Sequence, residues 1–113
     1  MVEMITRDQE EWQVIWTEPA FNDLCEIVKY ISQDSEFYAS TVAQKIYDTA
    51  ESLTAFPFRG RVVPELGRQD IREIFSQSYR IIYKIKQDRV AILAIVHFSR
   101  DLWKLIKQRL GNA

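Results

Sequence analysis

Four cations on neighbouring stretches, Arg72, Arg80, Lys84 and Lys86, and a polar cluster of His97, Ser99 and Arg100 after an apolar run are the residues whose types could do chemistry. Arginine and lysine at alternating positions offer contacts to phosphate or carboxylate, and Tyr79 and Tyr83 beside them could stack on bases. The same alternation is what the wet side of an amphipathic sheet requires, so the pattern leaves both readings open. Arg80 stands out: between Tyr79 and a run of β-branched residues, a lysine or threonine would serve solubility equally well. On that reading it is an exposed strand residue, and Arg80→Ala is expected to leave folding intact. His97 titrates near neutral pH and suits a general acid or base, although a lone histidine at a strand end is more commonly a hydrogen-bonding structural residue. Arg100, in the first turn of the last helix, is unfavourably placed for the helix dipole. It is expected to meet an anion from elsewhere, or to pair with Asp101 or Glu73. No second histidine or cysteine completes a zinc site, and no P-loop or Rossmann glycine pattern occurs. Ser-His-Asp catalysis has no nucleophile context, so neither metal nor cofactor is expected.

The elements that must position these residues are legible from periodicity. In Tyr79–Lys86 the residues Tyr79, Ile81, Tyr83 and Ile85 alternate with Arg80, Lys84 and Lys86, the mark of a strand with one buried side. Gln87-Asp88-Arg89 forms a turn, and Val90–Val96 reads as a central strand covered on both faces. Ile71–Phe75 precedes them as another strand, joined by Ser76-Gln77-Ser78. Trp12, Val14 and Trp16 alternate in a short first strand. Thr17 or Glu18 with Pro19 starts a helix, whose apolar stripe reads Phe21, Leu24, Cys25, Val28 and Ile31, with Asp23 facing outward. Ser32-Gln33-Asp34-Ser35 breaks it and caps a second helix carrying Ala39, Val42, Ala43, Ile46, Ala50 and Leu53. The stretch from Phe56 to Gly67 reads as irregular loop. Ser99 is expected to cap a last helix with Leu102, Trp103, Leu105, Ile106 and Leu110 apolar and Gly111 as its stop. The order β-α-α-β-β-β-α predicts an α+β fold, an N-terminal αα-hairpin packed on one face of a small, twisted, mainly antiparallel sheet.

At 113 residues the chain makes one domain, residues 1–113, burying roughly two thirds of its unfolded surface. The lone Cys25 cannot bridge within the chain and is expected to be buried and inert. No run reaches the length of a membrane span and the start is not a signal peptide, so a cytoplasmic protein with no membrane partner is expected. The net charge of −1 hides an asymmetry. Met1–Phe58 carries three cations and eleven anions, net −8, and the remainder twelve cations and five anions, net +7. Either the halves neutralise each other across the fold, or one faces a charged partner.

Taken together, the loop FPFRGRVVPEL, the strand pair IREIFSQSYRIIYKI and the ending AILAIVHFSRDL resemble the RelE/ParE toxins of bacterial type II toxin–antitoxin systems, over about Val14 to Leu102. The resemblance implies a small twisted sheet with a helical hairpin and a cognate antitoxin, encoded alongside, whose C-terminal segment wraps the toxin. Operator DNA would be reached only indirectly, through the antitoxin. RelE-like members cleave mRNA in the ribosomal A site, while ParE-like members poison DNA gyrase without being nucleases. Arg80 matches the arginine of the Y-R-x-x-Y strand and Arg100 the arginine after the last strand, positions that contact scissile RNA in RelE-like members. Under the ribonuclease reading Arg80, Arg100 and His97 are therefore the catalytic candidates. The residues expected to meet target or antitoxin are Arg72, Arg80, Tyr83, Lys84, Arg100 and Trp103, and an antitoxin covering Arg80 and Arg100 should bring carboxylates. No tyrosine follows Arg100, and Trp103, the aromatic there, cannot exchange a proton. A net −8 half is also a poor start for docking into ribosomal RNA. These departures, with GRVVPE and VHFSRD, favour the ParE and plasmid-stabilization side. An endoribonuclease, or a degenerate member that binds its antitoxin and inhibits nothing, are the alternatives, and homodimerisation stays open.

Overall fold

A computed structural model describes residues 12–110 of the chain. Strand β1 (Gln13–Trp16) leads into helices α1 (Glu18–Ser32) and α2 (Glu36–Glu51), closed by a 3-10 turn at Ser52–Thr54. Strands β2 (Arg61–Val62), β3 (Ile71–Ser76), β4 (Tyr79–Lys86) and β5 (Arg89–His97) follow, and then helix α3 (Trp103–Leu110). The strands form one sheet in the order β1-β5-β4-β3-β2. Only β1 runs parallel to its neighbour, β5; the other pairs are antiparallel. The α+β architecture with a helical hairpin on one sheet face is as the periodicity predicted. One strand is added: β2, two residues inside the stretch read as loop, pairs with β3. It is too short for any alternation to announce it.

The sheet is covered on both sides. The hairpin packs on one face against Ile81, Tyr83, Val90, Ile92 and Ile95, with Val14 and Trp16 of β1 joining. On the other face Leu102 and Ile106, at and in α3, pack with Val63 over Ile71, Ile82, Leu93 and Val96. Strand β5 is thus buried on both sides, as its unbroken apolar run requires. A register shift opposite Ile82/Tyr83 lets Leu93 and Ala94 face the same side, so the alternation of β5 changes phase midway.

Helix α1 begins where Thr17 donates its hydroxyl to the Ile92 carbonyl at 2.6 Å and accepts from the Ala20 N–H at 3.3 Å. One side chain therefore caps the helix and ties it to the central strand. Ser35 caps α2 by accepting from the Tyr38 N–H at 3.0 Å. The inward stripe of α1 is the buried Ala20 with the partly buried Leu24, Ile27 and Ile31, which corrects the expected stripe by a rotation. Phe21 and Cys25 face outward, so Cys25 is exposed, not buried. Both stripes have helical spacing, and the choice between them comes from how Thr17 and the parallel β1 orient the first turn. The expected cap at Ser99 is also corrected. Asp101 accepts from the Trp103 N–H at 3.1 Å, and Ser99 turns back to His97. The stop at Gly111 lies outside the described residues.

The loop leaving the hairpin is held by Tyr83. Its hydroxyl donates to the Pro57 carbonyl at 2.9 Å and accepts from the Gly60 N–H at 2.9 Å. Gly60 is required there because an added Cβ would lie 2.6 Å from that hydroxyl and against the Glu73 carbonyl. Tyr83→Phe strands one buried donor and one acceptor, and should cost about 1–3 kcal/mol, read as a lower urea midpoint at unchanged slope.

Candidate functional site

Glu73 faces the side of the sheet that carries α3, with its carboxylate fully buried. The β2–β3 register sets Arg61 directly opposite Glu73, and the β3–β4 register sets Arg80 opposite Phe75, diagonal to it. Arg61 Nε donates to Glu73 Oε2 at 2.6 Å and Arg80 Nε to Glu73 Oε1 at 2.6 Å. The outer fork of Arg80 is occupied as well: Nη1 donates to Glu65 Oε2 at 3.1 Å and Nη2 to Glu65 Oε1 at 3.0 Å. This is a bidentate pair, with Glu65 arriving from the loop after β2. Arg80 is 7% exposed, which corrects its placement as an outward strand residue. The Glu65 bond, then burial opposing it, then Glu73 set its electrostatics, and the result is a guanidinium held even more firmly charged than usual. The same Arg80 hydrogen bond, partly offset by desolvation, holds the Glu65 carboxyl below its ordinary value of 4.5. Beside this cluster Arg61, Phe75, Ser78, Tyr79, Arg80 and Phe98 line a groove, and Arg61 lies over the Phe75 ring at 5.4 Å.

A second groove lies along α1. Asp23, Glu26, Ile27 and Tyr30 form one wall, and Tyr79, Ile95, His97 and Arg100 the other. Strand β1 pairs β5 only as far as Ile92, leaving the later edge of β5 without a strand. Asp23 fills in by accepting from the Ile95 N–H at 3.0 Å, and Arg109 donates to the Leu93 carbonyl at 2.7 Å. The two also pair with each other at 3.0 Å. Asp23, expected to face water, is thus a substitute for a strand's backbone. This ion pair joins the acidic half of the chain to the basic half.

The predicted site residues therefore scatter. His97 and Arg100 share the α1 groove, whereas Arg80 lines the other one. His97 Nδ1 lies 2.8 Å from Ser99 Oγ and accepts from the Ser99 N–H, and its ring meets Tyr79 edge-on at 5.6 Å. Burial, with Tyr38 and Tyr30 nearby, pushes the Tyr79 phenol up, away from proton exchange at neutral pH. Arg100 is exposed and pairs with neither Asp101, which caps α3, nor Glu73, which is taken. Arg72 pairs across strands with Tyr83 and so lies on the hairpin face, opposite Arg80 and Lys84. Its guanidinium holds the Gly60 and Gln69 carbonyls and covers Phe58. Of the strand cations, Arg80 and Lys84 thus share one face and Arg72 stands on the other. Tyr83 is fully buried, which corrects its placement among partner-facing residues. Lys84 is half-buried near Asp70, and Trp103 is 46% exposed beneath Lys107. Glu65, Arg61 and Arg109 were missed, and Glu73, expected as a partner of Arg100, holds Arg61 and Arg80 instead. A glutamate in register with Ile71 and Phe75 was the available signal, because a charge on a core-facing position demands a partner.

This sheet, hairpin and flanking helix define a RelE/ParE-like α+β fold. The model of the ParE toxin of the type II toxin–antitoxin system, parDE, matches residues 14–102, and the chain belongs to that family. Toxin RelE2 of Caulobacter vibrioides is 36% identical over 89 residues, covering 78% of this chain and 97% of that protein. A chromosomal ParDE system of P. aeruginosa superposes with a TM-score of 0.65 at 20% identity, covering 77% of this chain and 96% of the other. A mutant of E. coli toxin RelE in the free state gives 0.63 at 13% identity, covering 90% and 97%. The RelBE2 toxin–antitoxin complex of Mycobacterium tuberculosis gives 0.57 at 20%, covering 78% and 92%. These likenesses agree on the fold. The family brings with it a cognate antitoxin as partner, and no helix among the described residues is long and apolar enough to cross a membrane.

Two outcomes follow from the Glu73 cluster. Arg80→Ala leaves Glu73 and half of its hydrogen bonding uncompensated in a buried site, and should cost about 3–5 kcal/mol in urea unfolding, not the negligible amount expected of an exposed residue. Because Glu65 is depressed in the folded chain, its pairing contributes stability that is complete above the unfolded value and lost as pH falls through the folded one. Urea midpoints between pH 7 and pH 3 should therefore fall less steeply for Glu65→Gln than for the natural chain.

Proposed function

We propose that this toxin inhibits growth in the ParE manner, by protein contact with DNA gyrase in the cytoplasm, and that its cognate antitoxin neutralises it and carries any contact with operator DNA. The observation that carries the reading is the saturation of Arg80, whose three nitrogens are engaged by Glu73 and Glu65. A nuclease of the RelE kind needs its strand arginine available to the scissile phosphate. The helix after Arg100 offers Trp103 and no tyrosine. Exposed Arg100 and Trp103, Lys84 on the α3 face and the Arg72–Phe58 stack on the hairpin face are the surfaces that target and antitoxin would use.

A ribosome-dependent endoribonuclease is the second reading, favoured by His97 and Arg100 lining one groove and by the relative named Toxin RelE2. Expression of the chain without its antitoxin distinguishes the two. DNA breaks and an SOS response with intact mRNA are expected. Cleavage of mRNA in the ribosomal A site would overturn the gyrase reading, and unimpaired growth would identify an inactive family member. Trp103→Ala should weaken the affected contact by about 2 kcal/mol, measured as gyrase and antitoxin affinity, with the unfolding midpoint little changed.

A further inference from the structure

The two carboxylates on Arg80 are not equivalent. Glu73 is fully buried on a central strand, whereas the Glu65 side chain is 36% exposed and the Arg80 side chain 9%. Glu65 sits between two anchors of its loop, Val63 and Leu66, both packed on the sheet. The loop continues into Gly67 at a φ of 65°. Glu65 thus covers the outer fork of Arg80 from the solvent side, in the geometry an incoming carboxylate would take. Exposed Phe75 and Phe98 flank the adjoining groove.

We propose that the outer fork of Arg80, backed by Arg61, is a receiving site for a carboxylate side chain of a protein partner, and that Glu65 is the internal ligand that fills it in the free chain. Removing the Glu65 charge leaves Arg61 and Arg80 against Glu73, a net charge of +1. That suits one carboxylate, whereas a nucleic-acid backbone gains affinity by neutralising several phosphates at once. Phe75 and Phe98 offer apolar wall to the residues beside the partner's carboxylate. The paired fork also explains why the free chain keeps an arginine in a nearly buried position: the site stays satisfied until a partner replaces Glu65. Competition with an internal ligand lowers apparent affinity by the fraction of time the site is closed. The inference uses the same Arg80–Glu65 pair as the proposed function and adds that a carboxylate displaces Glu65; it does not require gyrase to be the partner that supplies it.

The test uses the full chain and its Glu65→Gln variant, with the Arg80 Nε–Hε NMR signal followed during titration with acetate. Separate titrations use an acidic peptide of alternating Glu and Leu and a hexaadenylate RNA. The variant should respond to acetate at a concentration about tenfold or more lower than the natural chain and bind the peptide more tightly than the RNA. Arg61→Ala added to the variant should reverse most of the gain. An Arg80 signal in the variant that ignores acetate, or an equal midpoint in both proteins, would overturn the site. Tighter binding of the RNA would overturn the protein-partner assignment. Should circular dichroism show that Glu65→Gln is unfolded, Glu65→Asp, which keeps the charge but shortens the reach, is titrated in its place, with an intermediate gain expected and no gain overturning the site.

Discussion

A carboxylate with no access to water must have its charge met by donors that are equally fixed, and the Glu73 side chain imposes that condition on half of this molecule. Arg61 on β2 and Arg80 on β4 converge on it from either side. The short strand β2 is thereby locked to β3 by side chains as well as by its two-residue ladder. The β2–β3 loop is drawn in because the far side of Arg80 needs its own acceptor, which Glu65 supplies. The docking of β2, the course of that loop and the buried position of Arg80 are tied to one glutamate placed on a core-facing register.

The opposite face of the sheet answers to a different requirement. Tyr83 has its ring in the core beneath the helical hairpin and its hydroxyl between Pro57 and Gly60, so the loop leaving the hairpin is pinned to the sheet centre. Phe56 and Phe58 are exposed on that loop, with Arg72 laid over Phe58. At the far edge, where β1 stops short, Asp23 and Arg109 take the places of the missing backbone partners of β5. An unpaired strand edge that would otherwise invite another chain is blunted by a charged pair bridging α1 and α3.

These constraints bear on how a family with one fold supports more than one action. The scaffold is set by burial: β5 covered on both faces, the hairpin on one side and α3 on the other. The strand arginine is where the scaffold and the candidate site meet. In this chain it meets two carboxylates of its own, and the exposed cations and aromatics are distributed over both faces of the sheet. That arrangement is what the proposed protein-directed action rests on.

Periodicity was enough to place three helices and four of the five strands, because alternation by two and recurrence near 3.6 are local properties of the backbone. The caps at Thr17 and Ser35, the double-sided burial of β5 and the hairpin on one face were legible for the same reason. Which way a helix turns its stripe was not: Phe21 and Cys25 have the spacing of core residues, yet Ala20 and Ile27 are turned inward by contacts to β5, some seventy residues on. Nor could the exposure of Arg80 be read, since an arginine on the polar phase of a strand looks the same whether water or a carboxylate lies beyond it. That difference is set by Glu65 and Glu73, brought within hydrogen-bonding distance by strand registers that join residues far apart along the chain. Charge and periodicity are written residue by residue, while the partner of a charge is a property of the packed molecule.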